Sequence, residues 1–269
     1  MIIGVIVGTI VVLSSVSWPI AWLGLELNLM CFVPRLINKE RIKKPCIVYF
    51  IAQSIGRLTI LVIGLINEFN SSTQLLLIFR IVIKIGIIPF HFWVPIVVPF
   101  LEKVGILVIQ TWQKIAPIAL ITFCLSLKTS ISLINILLGA LFMMSIITPV
   151  LVIIFSGMRR IGWVLQLDST LLWIFLIIYF LILIPLVKFI NSRTSNFSLS
   201  LLNAGGLPPF TGFVWKLKAI CRVKVKMASA ILLGRGLTLV SYSRMLLNQG
   251  LKIKKVSGLV VATILVGIV

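Results

Sequence analysis

Long apolar runs recur from one end of the chain to the other, separated by short polar or basic segments and almost free of charge inside. A helix needs roughly 20 such residues to cross a bilayer core about 30 Å thick, so each run reads as a membrane span. Residues 1–34 hold one charge, Glu26, and as one helix would reach roughly 50 Å, so Ser14, Ser15 and Pro19 divide them into two spans. The pattern predicts further spans over 46–66, 73–88, 105–127, 131–155, 171–188 and 228–247, with broken helices near 90–104 and 199–217. An apolar tail over 256–269 is short for an untilted crossing. The whole is expected to be an all-α, polytopic transmembrane bundle of roughly nine to eleven spans. It is read as one integral membrane domain, 1–269.

Composition supports that solvent. Hydrophobic residues make up 60% and charged residues 11%, against averages near 45 to 50% and 25% in soluble domains. Lys and Arg outnumber Asp and Glu by 25 to 5, an excess that in a soluble chain would suggest nucleic acid. Here the basic residues sit beside apolar runs, in NKERIKKP (38–45), MRR (158–160) and KLKAICRVKVK (216–226), which excludes a nucleic-acid face. They are expected to anchor span ends against anionic lipids such as cardiolipin. The first basic residue is Arg35, unlike an Arg-rich transit segment, so the first apolar run is expected to be a retained span. Cys31, Cys46, Cys124 and Cys221 are scattered and the chain has one histidine, so they read as small buried hydrophobes and no metal or haem site is expected.

Two segments combine a lysine with a proline break: KIGIIPFHFW (84–93) and GGLPPFTGFVWK (205–216). Both contain G-x-x-P-F, with Pro89 and Pro209 as corresponding prolines and Pro208 beside the second. Backbone groups freed by a proline must be buried in protein or line a wet cavity, and paired interrupted helices point to inverted-repeat transporters. A lysine inside the bilayer costs about 2.5 to 3.5 kcal/mol on insertion scales and therefore marks an ion path or a buried partner. Lys84 and Lys216 lie in these motifs, and Lys114 lies in a third apolar run, three residues before Pro117. Arg80 shares a helix face with Lys84, one turn away. Glu26 is the expected partner of Lys84, since a carboxylate that approaches and retreats lets a buried lysine load and release a proton. His91 could shuttle protons, or donate to a backbone carbonyl among its aromatic neighbours. Gln53 and Arg57, one turn apart in mid-span, extend a polar axis or face another subunit. Asp168, Glu68 and Glu40 read as loop or span-end charges.

WLGLELN (22–28), QSIG (53–56), KIGIIPFHFWVP (84–95), TWQKIAP (111–117), GW (162–163) and GGLPPFTGF (205–213) follow one another in an order that resembles the mitochondrial NADH dehydrogenase subunit 2 family. The resemblance covers residues 20 to about 217. It implies an antiporter-like membrane-arm subunit of respiratory complex I, multi-pass in the mitochondrial inner membrane, with other membrane-arm subunits as partners. It implies a proton relay in which Glu26 pairs with Lys84, Lys114 is central and Lys216 is terminal. It also implies that quinone reduction elsewhere drives the relay, so that FMN, iron-sulfur clusters and ubiquinone belong to partner subunits and this chain of an H+-translocating oxidoreductase holds none.

Two positions depart from the family pattern. Ile96 stands where an acidic residue follows W-V-P, and Arg160 stands where a histidine is usual. Two other function classes stay open on the residues: a free-standing cation/proton antiporter, and a membrane-arm scaffold whose lysines transfer no protons.

Overall fold

Glycine and proline punctuate the apolar runs where the chain must turn, and elsewhere the backbone satisfies its own hydrogen bonds as helix, which a bilayer demands. The computed structural model describes residues 2–39, 43–66, 71–123, 128–190, 195–208, 210–223 and 225–249. Glu40, Glu68, Cys124, Pro209 and the tail 256–269 lie outside them. Among the described residues the regular structure is helical and no strand occurs, as expected of an all-α membrane bundle. Outward positions are apolar, with Ile3, Leu58, Ile177 and Leu233 all more than half exposed, whereas Gln53, Arg57, Lys114 and Arg159 are buried. That inversion of a water-soluble surface fits lipid as solvent. Within the described residues Lys44–Val62, Lys103–Ile121, Thr170–Lys188 and Met227–Leu247 are long and apolar enough to cross a membrane, with shorter apolar helices beside them.

The chain forms two compact units, Met1–Lys128 and Thr129–Val269. In the first, α1 (Ile2–Ser14), α2 (Trp18–Lys39), α3 (Lys44–Ile66) and α4 (Ser71–Ile85) precede a short α5 (Trp93–Val97) and a 3₁₀ turn over Val98–Phe100. Then come α6 (Lys103–Gln110) and α7 (Trp112–Phe123). Helix α1 packs on α2 and α7, α3 packs on α2, α4 and α5, and α4 packs on α7. The predicted division near Ser15 is present, and Pro19 is tolerated in the first turn of α2. Pro34 does not end α2, which runs on to Lys39. The span expected over 105–127 corresponds to the crossing-length stretch Lys103–Ile121, interrupted at the single residue Thr111, whose hydroxyl donates to Leu107 O at 2.6 Å.

Small residues set the α1–α2 distance. A Cβ on Gly24 would lie 2.8 Å from Gly8 O and 2.9 Å from Val12 N, both backbone atoms that cannot rotate away. Gly4 and Gly8 form the G-x-x-x-G spacing that lets membrane helices approach closely. Gly24→Val is therefore expected to force α1 off α2 at a cost of about 1 to 3 kcal/mol, seen as a lower melting midpoint of the solubilised protein.

The second unit contains α8 (Lys128–Ser145), α9 (Pro149–Val164), α10 (Ser169–Lys188), α11 (Ser195–Gly205), α12 (Thr211–Cys221) and α13 (Val225–Gln249). The expected span 131–155 is split before Pro149, which starts α9 in the first-turn position proline favours. Helix α10 packs on α9, α11 and α12, while α13 packs on α9 and α11. Asp168 is exposed at the N-terminus of α10, the span-end place expected for it.

Both proline motifs stop their helices in the same way. Gly86 at φ 75° and Gly206 at φ 73° occupy the left-handed region that favours glycine. The amides of Gly86 and Ile87 both donate to Val82 O at 3.1 Å, and those of Gly206 and Leu207 donate to Leu202 O at 3.0 and 3.5 Å. These are Schellman-type ends, repeated at the two G-x-x-P-F segments. Pro89 and Pro208 follow on exposed turns.

Candidate functional site

In the first unit the polar groups of five helices converge. Lys84, in the last turn of α4, has its ammonium nitrogen buried with no hydrogen-bond partner. It lines a cavity of about 20 Å³ together with Lys114, Gln113, Gln53, Tyr49 and Asn28. That is room for one water, which needs two to four polar partners and finds them here. Lys114 is 5% exposed and donates to Gln110 Oε1 at 2.6 Å across the Thr111 break. Tyr49 donates to Gln113 Oε1 at 2.6 Å, and Trp93 Nε1 donates to Ile83 O at 2.9 Å, fixing the motif's tryptophan against the end of α4. Two of the sequence-predicted lysines thus share one small polar cavity.

Glu26 is placed differently from the expectation. Its ion-pair partner is Arg57, not Lys84. The cause is packing order: α3 packs on both α2 and α4, and Arg57 on α3 meets the carboxylate first. Arg57 also donates through Nε to Gln53 O at 3.2 Å, and Gln53 Nε2 donates to Lys84 O at 3.3 Å. Arg57 lies within electrostatic reach of Lys84. The mid-span pair Arg57 and Gln53 therefore belongs to the polar axis. His91 has Nδ1 3.2 Å from Pro89 O, the backbone contact considered for it. Ile96, after W-V-P, is an exposed apolar residue.

In the second unit Lys216 is 5% exposed and reaches back to the end of the broken helix, donating to Ala204 O at 2.6 Å and Gly205 O at 2.7 Å. These are terminal carbonyls of α11, where the helix dipole places about half a negative charge. Arg235 Nη2 donates to Gly206 O at 2.5 Å, and Arg160 Nη2 lies 3.4 Å from both Ala204 O and Tyr242 Oη. Asn203 organises the restart: its Oδ1 accepts from the Gly212 amide and from the Thr211 hydroxyl, each at 3.1 Å.

Arg159 and Arg160 overturn their sequence reading as span-end anchors. They are 1% and 4% exposed in the C-terminal half of α9, with guanidinium groups over Trp163 and Tyr179 at 5.6 and 4.7 Å. The apolar run continues through them because aromatic faces and helix-end carbonyls receive the charge. Burying each still costs several kcal/mol after relaxation. Cysteine placement is also mixed, since Cys46 is buried, Cys31 half-buried and Cys221 exposed. Sequence reasoning missed Gln110, Tyr49 and Asn203; only the i, i+4 spacing of Gln110 and Lys114 could have signalled one of them.

A bundle of apolar helices with two glycine-proline helix breaks, each beside a lysine with a buried ammonium, defines the interrupted-helix class of all-α membrane proteins. Its likeness to solved structures shows that fold: 14% identity and a TM-score of 0.85 over 99% of this chain and 75% of a chain of respiratory complex I from Thermus thermophilus with bound aureothin. A chain of the Mrp complex from Dietzia sp. DQ12-45-1b superposes with a TM-score of 0.79 at 17% identity, over 95% of this chain and 60% of that one. No protein-family model matches. NADH-ubiquinone oxidoreductase chain 2 of Myxine glutinosa is 32% identical over 81% of this chain and 74% of its own length. The Anopheles gambiae protein of that name is 32% identical over 78% and 72%, and that of Lumbricus terrestris 29% over 85% and 78%. The chain belongs to the NADH-ubiquinone oxidoreductase chain 2 family.

Proposed function

We propose that the chain moves protons as a membrane-arm subunit of the mitochondrial NADH:ubiquinone oxidoreductase, with Glu26, Lys84, Lys114 and Lys216 as its exchanging groups. The observation that carries this reading is the partnerless ammonium of Lys84 in a water-sized cavity shared with Lys114. A group so placed can pass a proton through one bridging water. Glu26 acts on Lys84 through Arg57: while the carboxylate neutralises the guanidinium, Lys84 faces less cationic charge, and protonating Glu26 restores the repulsion. Lys216, on carbonyls that welcome a cation, is a terminal station in its own unit. The redox chemistry is assigned to partner subunits holding FMN, iron-sulfur clusters and ubiquinone. Anionic lipids such as cardiolipin are assigned to exposed basic residues at helix ends, Lys43, Lys44, Lys218 and Arg222.

The test is NADH-driven acidification of vesicles holding the purified complex, with assembled complex quantified in parallel. Lys84→Met and Lys114→Met are each expected to remove most proton-coupled turnover, a loss of at least about tenfold for a positioned proton-transfer group. Full pumping by both variants at normal assembly would leave the scaffold reading. The paired glycine-proline helix ends favour a second reading, a cation/proton antiporter, which predicts exchange across vesicles holding this chain without partners.

A further inference from the structure

A second cavity of about 20 Å³ lies in the second unit, where four donor-bearing side chains meet among apolar ones. Arg160, Tyr179, Trp215 and Lys216 all border it. Three of them present buried donors without partners: Arg160 Nε, Tyr179 Oη and Trp215 Nε1. Arg159 and Arg235, with Arg160, are within electrostatic reach of Lys216, and Arg159 keeps Nε and Nη1 buried and unpartnered. The compensating negative charge is small. The end of α11 supplies about half a charge, against three guanidinium groups that stay protonated. Residues 129–269 contain a single acidic side chain, Asp168, and it is exposed.

We propose that this cavity binds a small inorganic anion of the halide class, held by Arg160, Tyr179, Trp215 and Lys216 and favoured by the charge of Arg159 and Arg235. The space takes one ion or one water. A water accepts two hydrogen bonds and must place two of its own, whereas an anion only accepts, and the three unpartnered groups at the cavity can all donate. Charge separates the two occupants further, because water leaves the guanidinium charges uncompensated. The proposal does not rest on Lys216 carrying protons.

The experiment is chloride-35 NMR line broadening on the purified intact complex, titrated with bromide as competitor. Excess broadening should appear with the wild-type complex and be displaced by bromide. Tyr179→Phe, which keeps the ring beneath Arg160 and removes one donor, should weaken chloride binding by about tenfold. Arg160→Gln should abolish the broadening, and Lys84→Met, in the other unit, should retain it. Because Arg160→Gln also removes contacts to Ala204 and Tyr242, Tyr179→Phe decides the matter if that variant fails to assemble. Equal broadening in wild type and Tyr179→Phe overturns the proposal, as does a density map of the complex showing water or a partner's carboxylate in the cavity.

Discussion

Glu26→Gln is expected to destabilise the first unit by about 3 kcal/mol, because it strands the Arg57 guanidinium without its counter-charge. Removing one partner of a buried pair typically costs about 3 to 5 kcal/mol. The lower end applies because the Glu26 side chain is 25% exposed while that of Arg57 is only 5%. A second substitution distinguishes lost pairing from lost packing. Glu26→Gln combined with Arg57→Gln removes both charges, keeps two polar side chains able to hydrogen-bond, and should recover most of the loss, to within about 1 kcal/mol of wild type. Thermal melting of the solubilised complex, with the four proteins of the cycle side by side, reads the coupling. Additive losses would mean that the pair contributes nothing beyond its separate groups. An intact relay in the double variant would further show that Arg57 does not link Glu26 to Lys84.

Gly212→Ala should be as damaging to the second unit. A Cβ there would lie 2.2 Å from Asn203 O, a backbone atom, so the two helix ends must separate. Overpacking of this kind costs about 1 to 3 kcal/mol, and the same shift pulls the Gly212 amide from the Asn203 side chain. Lys216 lies one turn further along α12 and rides with it, so its bonds to Ala204 and Gly205 are expected to lengthen or break. Pumping by Gly212→Ala should therefore fall as far as in Lys216→Met, although no titratable group has been changed. Gly212→Ser offers no escape, since it carries the same Cβ. Normal pumping with an unchanged melting profile would show that the approach of α12 to Asn203 is looser than this geometry.

Much of this molecule was legible in advance for simple reasons. Lipid cannot satisfy backbone polar groups, so apolar runs had to be helices and their interruptions had to be protected. The two G-x-x-P-F segments accordingly proved to be matched helix ends, and Lys84 and Lys114 proved to share a cavity. Local reading failed where neighbours supplied what the sequence lacked. Thr111 interrupts a helix that hydropathy ran through, its backbone at φ −116° and ψ −78° while its amide and hydroxyl both bond Leu107 O. Pro34 closes the apolar part of α2, but the helix runs on through the polar residues to Lys39.

Composition and periodicity alone determined an all-helical membrane protein, the positions of its two breaks and the lysines worth testing. The resemblance to its family was carried by short motifs, and a family member is 32% identical over 81% of the chain. Only the tertiary structure decided which charge meets which. Glu26 pairs with Arg57 because α3 packs against both α2 and α4, and no spacing along the chain encodes that order. Arg159 and Arg160 read as surface anchors until aromatic rings and the end of α11 were seen around them. The physical reason is range: helix formation follows from neighbours within a turn, whereas the stability of a buried charge depends on every dipole within several ångströms, whatever its place in the sequence.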